Sequence, residues 1–289
     1  MNHTYRSSSA YAKINIGLAL LGKRADGYHE IETIFQQISI CDTLHFARQE
    51  QGIALTCSDP GLPLDEGNLV FRAARLLQQR GEITSGCQIH LEKRIPMGAG
   101  LGGGSSDAAT TLRVLNRMWQ LHWPAETLTD LAAQLGSDVP FFIRGGAAWG
   151  RGRGEILEAL QMPDNYWGVL IYPHIVVSTR WVYENVNFDL TKTLKNSKFY
   201  SLTSFVNQLD LWDIHFKNDL EYVVFNRYPQ LALLVDRFRR QGAFYARMSG
   251  SGSAVFGLFS EKKAALRALE SSDKSMYCHL FHPVPAHRA

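Results

Sequence analysis

The chain lacks a long run of apolar residues. Its most apolar stretch, Trp167 to Val177, is interrupted by Pro173 and His174 and is too short to cross a bilayer. The first nine residues show no apolar core of the kind that a secretory signal peptide requires. We therefore expect a cytoplasmic protein with no membrane partner.

Cysteine is scarce and scattered. The four residues Cys41, Cys57, Cys87 and Cys278 contain no CxxC pair. Because no secretion signal accompanies them, we expect free thiols in a reducing compartment rather than disulfides.

The chain also lacks a large excess of charge of either sign, since the formal net charge is only +3. That balance gives no argument for a nucleic-acid partner. With 45% apolar and 20% charged residues, the composition is that of an ordinary globular protein. A length of 289 residues predicts about two domains.

The common phosphate-binding motif GxxxxGK[ST] is missing, and no Asp-rich metal site is visible. A different glycine-rich stretch is present, PMGAGLGGGSSD from Pro96 to Asp107. Five of the seven residues from Gly98 to Gly104 are glycine. Such a density is typical of a backbone that approaches a ligand closely, because each glycine loses much conformational entropy on folding.

The flanking pattern predicts the order strand, glycine loop, helix. Residues 87–95 alternate apolar and polar side chains, as in a half-buried strand. Apolar residues then recur at helical spacing from Ala108 to Trp119, and Ser105 or Ser106 is the expected N-cap. Free backbone N–H groups and a positive helix end would converge there, which favours a phosphate-binding site.

The loop alone leaves several interpretations open. Gly98, Gly100 and Gly103 satisfy GxGxxG, which occurs in dinucleotide-binding oxidoreductases and in kinases. The dinucleotide reading lacks a clear acidic residue at the end of a following strand, and a purely structural hairpin would not need five glycines. The neighbouring Lys93 and Arg94 could reach a nucleotide or be solvated.

Four blocks in order resemble the GHMP kinases, the superfamily of galactokinase, homoserine kinase and mevalonate kinase. The first block runs from Ala12 to Ile31 and includes AKINIGL and RADGYHEI, and the second is the glycine loop. GSDVPFF begins at Gly136, and MSGSGSAVFG begins at Met248. The first block resembles the branch of that superfamily whose substrate carries a cytidine diphosphate group.

The resemblance implies an α+β protein with the two-domain GHMP kinase fold and an active site in the cleft between the domains. We expect an N-terminal ATP-binding domain over residues 1–160 and a C-terminal domain over 161–289. The implied reaction is transfer of phosphate from ATP, with Mg²⁺, to the 2-hydroxyl of a cytidylylated methylerythritol, a step in non-mevalonate isoprenoid synthesis. The oligomeric state is not readable from the sequence.

The resemblance also assigns roles to single residues. Asp138 is the expected general base, and Lys13 is expected to hold it ionised. The predicted nucleotide-binding residues are Pro96, Met97, Gly98, Ala99, Gly100, Leu101, Gly102, Gly103, Gly104, Ser105, Ser106 and Asn68, the two serines also being able to help hold Mg²⁺. For the substrate, Tyr28 and Tyr183 are expected to flank the cytosine, and His29, Asn15 and Thr179 belong to the same predicted pocket.

Two alternatives remain at this point. Another GHMP kinase acting on homoserine or mevalonate would have no base to stack on Tyr28. A dinucleotide-binding oxidoreductase, or a binding module without catalysis, would not need both Lys13 and Asp138.

The remaining periodicities predict regular elements along the chain. Strands are expected at 10–21, 31–40, 44–48, 167–172 and 277–282, and helices at 68–80, 124–135, 178–183, 231–240 and 261–269. Residues 186–203 are polar and weakly patterned, which predicts a loop.

Overall fold

The computed structural model describes residues 6–186 and 205–287. The predicted loop at 186–203 lies outside the described residues except for its first position. The described strands are β1 Arg6–Lys23, β2 His29–Gln49, β3 Ile53–Cys57, β4 Gly86–Glu92, β5 Ala147–Arg151, β6 Ile156–Ala159, β7 Trp167–Tyr172, β8 Tyr245–Met248, β9 Val255–Phe259 and β10 Tyr277–Phe281. The described α-helices are α1 Leu69–Arg80, α2 Gly103–Met118, α3 Ala125–Leu135, α4 Val139–Arg144, α5 Thr179–Glu184, α6 Trp212–His215, α7 Glu221–Arg227, α8 Pro229–Arg240 and α9 Lys262–Glu270.

The first sheet is built on a long hairpin of β1 and β2. Its order is β3-β4-β2-β5-β6, with β1 paired to β2 outside that path. The expected break between 31–40 and 44–48 is wrong, because β2 runs through it without interruption. Asp42, inside this stretch, is buried, and its carboxylate accepts hydrogen bonds from the backbone of Arg94 and Ile95.

Four helices cover one face of this sheet. The periodicity of α1 predicts an apolar stripe of Leu69, Ala73, Leu76 and Leu77; the fully buried residues are Val70, Ala73, Ala74 and Leu77, whereas Leu69 and Leu76 are half-buried. Asn68 caps α1, because its side chain accepts a hydrogen bond of 2.9 Å from the Val70 N–H. The same core contains apolar residues of α2, α3 and α4.

The second sheet is antiparallel, with the order β10-β7-β9-β8. Helices α8 and α9 pack on it through a core that includes Val235, Phe238 and Ala265. The predicted elements at 167–172, 231–240, 261–269 and 277–282 are confirmed to within two residues at each end.

Strand β1 connects the two halves of the chain. Ile14 and Ile16 share a buried core with Trp212 and Phe256. The Leu18 N–H also donates a 2.7 Å hydrogen bond to the carbonyl of Lys217. A division at residue 160 stays a prediction, and the halves on either side of it share a continuous core.

None of the helices in residues 6–186 and 205–287 is both long enough and apolar enough to cross a membrane.

Candidate active site

The glycine loop follows β4 and leads directly into α2. Gly98, Gly100 and Gly102 all have positive φ, at 64°, 80° and 67°. A Cβ on Gly100 would lie 2.2 Å from the carbonyl oxygen of Ser249, and one on Gly102 would lie 2.8 Å from Cζ of Phe142. These two positions therefore require glycine both for conformation and for space.

Helix α2 begins earlier than the sequence suggests. The expected N-cap at Ser105 or Ser106 is wrong, because Gly102 occupies the cap position in the left-handed region and the helix starts at Gly103. The first helical hydrogen bond runs from the Ser106 N–H to the Gly102 carbonyl. The preceding amides of α2 consequently point out of the helix end, which is the arrangement that binds phosphate.

A cleft of about 360 Å³ lies along the loop. Every predicted nucleotide-binding residue from Pro96 to Ser105 lines it, as does Asn68. Ser106 is buried beneath the loop, so its direct contact with a nucleotide stays a prediction. The cleft walls also include Leu62, Gly67, Leu69, Leu91, Lys93 and Asp107.

Lys13 lies under this loop on β1. Its side chain is buried, and its ammonium donates hydrogen bonds to Asn15 Oδ1 at 2.7 Å and to the Gly100 carbonyl at 3.0 Å. The ammonium also lies 3.6 Å from Oδ2 of Asp138. Burial lowers the pKa of Lys13 below its usual 10.5, while the charge of Asp138 opposes that shift.

Asp138 lies at the junction between α3 and α4. Gly136 ends α3, as predicted, and Asp138 occupies the residue before α4. Asp138 thus lies between the C-terminal end of α3 and the N-terminal end of the short α4. One third of the Asp138 side chain is exposed, so the carboxylate pairs with Lys13 and remains accessible to a ligand.

Asn15 positions Lys13 from the side. Its Oδ1 accepts the hydrogen bond from the ammonium, and its amide nitrogen donates a 2.8 Å hydrogen bond to Oγ1 of Thr33. Both polar atoms of this buried side chain thus have partners within the protein. Its predicted contact with cytosine stays a prediction.

A second glycine-rich turn, residues 249–254 between β8 and β9, supports the first. The Ser249 hydroxyl donates a 3.0 Å hydrogen bond to the Gly100 carbonyl, which also accepts from Lys13. The Ala254 N–H donates to the carbonyl of Ala99 at 3.1 Å. The second half of the chain thereby fixes the backbone of the glycine loop.

The predicted cytosine-side residues lie around the β1–β2 turn and α5. Tyr28 is 57% exposed on the turn. His29 stacks on Tyr183, with ring centroids 5.2 Å apart. Burial raises the pKa of Tyr183, and the nearby charge of Asp138 adds to this. Thr179, at the start of α5, lies 2.8 Å from the Ser251 hydroxyl.

Of the predicted substrate residues, Tyr183 lies within electrostatic reach of Asp138, and the substrate-binding roles of all of them stay predictions. The ring in contact with Tyr183 is that of His29, and the expectation that Tyr28 and Tyr183 flank the cytosine stays a prediction. Burial and the charge of Lys23 lower the pKa of His29, which favours its neutral form.

A buried charge cluster beneath the loop was not predicted. The Lys93 ammonium forms ion pairs with Asp42 and Asp107, all three side chains being nearly fully buried. Burial alone would lower the pKa of Lys93, but the two carboxylates outweigh it and raise that pKa. Burial also raises the pKa of Asp107, against the opposing effect of Lys93.

This cluster changes the interpretation of Lys93 and Arg94. Lys93 is not solvated, whereas the Arg94 side chain is exposed. The partners Asp42 and Asp107 are 51 and 14 residues from Lys93 in the chain, so local spacing offered no signal.

The described residues contain no group of three or more His, Cys, Asp or Glu side chains placed to hold a metal ion.

Comparison with known families places both halves of the chain. The GHMP kinases N terminal domain matches residues 68–146, and the GHMP kinases C terminal domain matches residues 205–277. The first match includes the glycine loop and Asp138.

Curated relatives extend the similarity over nearly the whole chain. The 4-diphosphocytidyl-2-C-methyl-D-erythritol kinase of Chlorobium chlorochromatii (strain CaD3) is 43% identical over 267 residues, which cover 91% of this chain and 92% of that protein. The protein of the same name from Prosthecochloris aestuarii is 44% identical over 266 residues, with the same coverage of both chains.

Solved structures agree with these relatives. A crystal structure of 4-(cytidine 5'-diphospho)-2C-methyl-D-erythritol kinase superposes with a TM-score of 0.82 at 34% identity, covering 96% of this chain and 99% of that one. Homoserine kinase from Cytophaga hutchinsonii superposes with a TM-score of 0.77 at 18% identity, covering 99% of this chain and 96% of its own. The latter similarity shows a shared fold and nothing about the substrate.

Proposed function

Since the chain belongs to the 4-diphosphocytidyl-2-C-methyl-D-erythritol kinases within the GHMP kinases, we propose that it phosphorylates the 2-hydroxyl of that cytidylylated alcohol with ATP. The products are the 2-phosphate and ADP, and the reaction belongs to non-mevalonate isoprenoid precursor synthesis in the cytoplasm. The observation that carries the assignment of residues is the ion pair of Lys13 and Asp138 directly beside the glycine loop.

The glycine loop binds the phosphates of ATP. Its positive-φ glycines and the free amides at the start of α2 offer N–H donors to anionic oxygens, and the helix dipole favours negative charge there. Ser105, which lines the cleft, adds a hydroxyl. Asn68 lines the same cleft, and we assign it to the nucleoside side.

Mg²⁺ accompanies ATP in this proposal. The polar groups near the phosphates fit an ion that keeps several waters and its phosphate ligands, because Mg²⁺ accepts such partial sites. When bound, it would neutralise phosphate charge, and the chain itself would contribute at most the Ser105 or Ser106 hydroxyl.

Asp138 is the general base. Its carboxylate accepts the proton of the 2-hydroxyl as that oxygen forms its bond to the γ-phosphorus, and the bond from phosphorus to ADP breaks with its electron pair leaving on ADP. The Lys13 ammonium, 3.6 Å from this carboxylate, pairs with it and offsets negative charge that develops at the transferred group.

Tyr28, His29 and Tyr183 form the cytosine side of the site, with Asn15 and Thr179 supporting them. Tyr28 supplies an exposed ring for stacking, and His29 supplies ring nitrogens for hydrogen bonds. A substrate that carries both a cytosine ring and a reacting hydroxyl would use these rings for the first and Asp138 for the second.

The proposal is tested by ADP release with three alcohols in parallel: the cytidylylated substrate, homoserine and mevalonate. We expect turnover with the first alone. Turnover of homoserine or mevalonate alone would leave the GHMP kinase assignment and overturn the substrate.

A further inference from the structure

Arg153 lies on the turn between β5 and β6, against the exposed ring of Tyr28. Its guanidinium carbon is 4.8 Å from the centroid of that ring. The turn is anchored because the Ile31 N–H donates to the Gly152 carbonyl at 2.8 Å, and the Gly154 N–H donates to the Arg151 carbonyl at 3.0 Å. Arg153 is therefore presented from a fixed backbone.

The next residue of the same turn, Gly154, lies close to the carboxylate of Asp138. A Cβ on Gly154 would lie 3.9 Å from Oδ1 of Asp138 and 3.4 Å from the Phe35 ring. The turn between β5 and β6 thus contacts the Tyr28 ring, on which we propose that the cytosine stacks, through Arg153. The same turn approaches Asp138 through Gly154.

The proposed substrate has the same order of groups. Its diphosphate lies between the cytidine, which would stack near Tyr28, and the hydroxyl that Asp138 deprotonates. We propose that Arg153 binds this diphosphate and so selects an alcohol that carries a nucleoside diphosphate; this inference rests on the proposed function.

The neighbouring charges favour Arg153 for this contact. The Arg24 guanidinium pairs with Asp26 and Glu30, and Lys13 is buried against Asp138. Within residues 6–186 and 205–287, the one ion-pair partner of Arg153 is Glu155, whose carboxylate lies 3.7 Å from the Arg153 Nε. Such exposed pairs are weak, and a guanidinium has five N–H donors arranged to bind phosphate oxygens in pairs.

The test compares the binding of CDP and of cytidine to the intact enzyme by titration calorimetry. Arg153→Leu should weaken CDP binding by about tenfold or more and change cytidine binding far less, because only CDP offers the charge. Arg153→Lys should retain part of the preference for CDP, since it keeps the charge and loses the paired donors. Arg180→Leu is the matched control, because Arg180 is an exposed arginine paired with Glu184 on α5.

The outcomes separate the two proposals. Equal losses for CDP and cytidine in Arg153→Leu would mean that Arg153 only supports the Tyr28 ring, which overturns the diphosphate contact. Unchanged CDP binding in both Arg153 variants would overturn it as well. Failure of the unmodified protein to bind either ligand would instead count against the proposed substrate.

Discussion

The pair of Lys13 and Asp138 illustrates how burial and charge act together on one residue. Burying an ammonium destabilises its charged form, and the neighbouring carboxylate, the Asn15 oxygen and the Gly100 carbonyl compensate for the lost water. Lys13 can be found from the sequence only by resemblance, because its place on a strand is equally typical of a surface lysine.

Removing the negative charge of Asp138 tests its role as base. We expect Asp138→Asn to lower kcat by at least about 10²-fold while leaving the affinity for ATP unchanged, since the amide cannot accept the proton. Steady-state kinetics and nucleotide titration measure the two quantities. The control is Asp130→Asn, an exposed position on α3, which should leave both unaltered. Near-normal kcat in Asp138→Asn would remove Asp138 as base.

The lowered pKa of Lys13 predicts an alkaline limit to activity. As pH rises through that pKa, the free enzyme loses the ammonium charge, so kcat/KM should fall at a pH below the usual lysine value of 10.5. In Asp138→Asn the limb should move to still lower pH, because the partner that raises the Lys13 pKa is gone. A limb that stays in place between the two proteins would contradict this coupling.

At the scale of elements, composition and periodicity predict which elements exist, but they do not predict where each element begins and ends. The glycine density indicates the loop, and the apolar stripe from Ala108 to Trp119 indicates α2, yet the start of α2 at Gly103 could not be read. It depends on a left-handed Gly102 held by Phe142 and Lys13, which are distant in sequence. The continuity of β2 depends likewise on Asp42 having buried partners from other elements.

Two glycines of the loop should respond oppositely to alanine. Gly100→Ala should lower the free energy of unfolding by at least ~1–2 kcal/mol for the left-handed φ alone, with a further cost from the Ser249 oxygen that lies 2.2 Å from the added Cβ. Gly104→Ala should raise it by up to ~1 kcal/mol, because Gly104 is helical and its nearest atom, Cδ1 of Leu69, is 3.8 Å away.

Urea unfolding of both variants measures this contrast. The comparison is matched, since each change adds one methyl group to the same loop and helix start. Equal stability of the two variants would show that the backbone of Gly100 relaxes freely, and the close fit of the two glycine-rich turns would lose its energetic meaning.

At the scale of the whole molecule, both halves of the chain hold the glycine loop in place. It leaves a strand of the first sheet, yet Ser249 and the Ala254 amide from the second half hold its carbonyls. The sequence indicates two halves by its change of character near residue 160. It gives no sign that β1 and the turn at 249–254 join them, because that contact depends on the tertiary arrangement.

The contact between the glycine loop and the turn at 249–254 predicts which parts of the chain ADP protects from hydrogen exchange. A ligand at 100 times its Kd stabilises the state that binds it by ~2.7 kcal/mol. Since the Gly100 and Ala99 carbonyls are bound by the turn at 249–254, ADP should slow hydrogen exchange in β8 and β9 as well as in α2. Ser249→Ala removes one of these bonds and should reduce protection at β8 and β9 more than at α2. Hydrogen exchange followed by mass spectrometry measures both regions in one experiment, and protection confined to residues 86–118 would show that the halves respond to nucleotide independently.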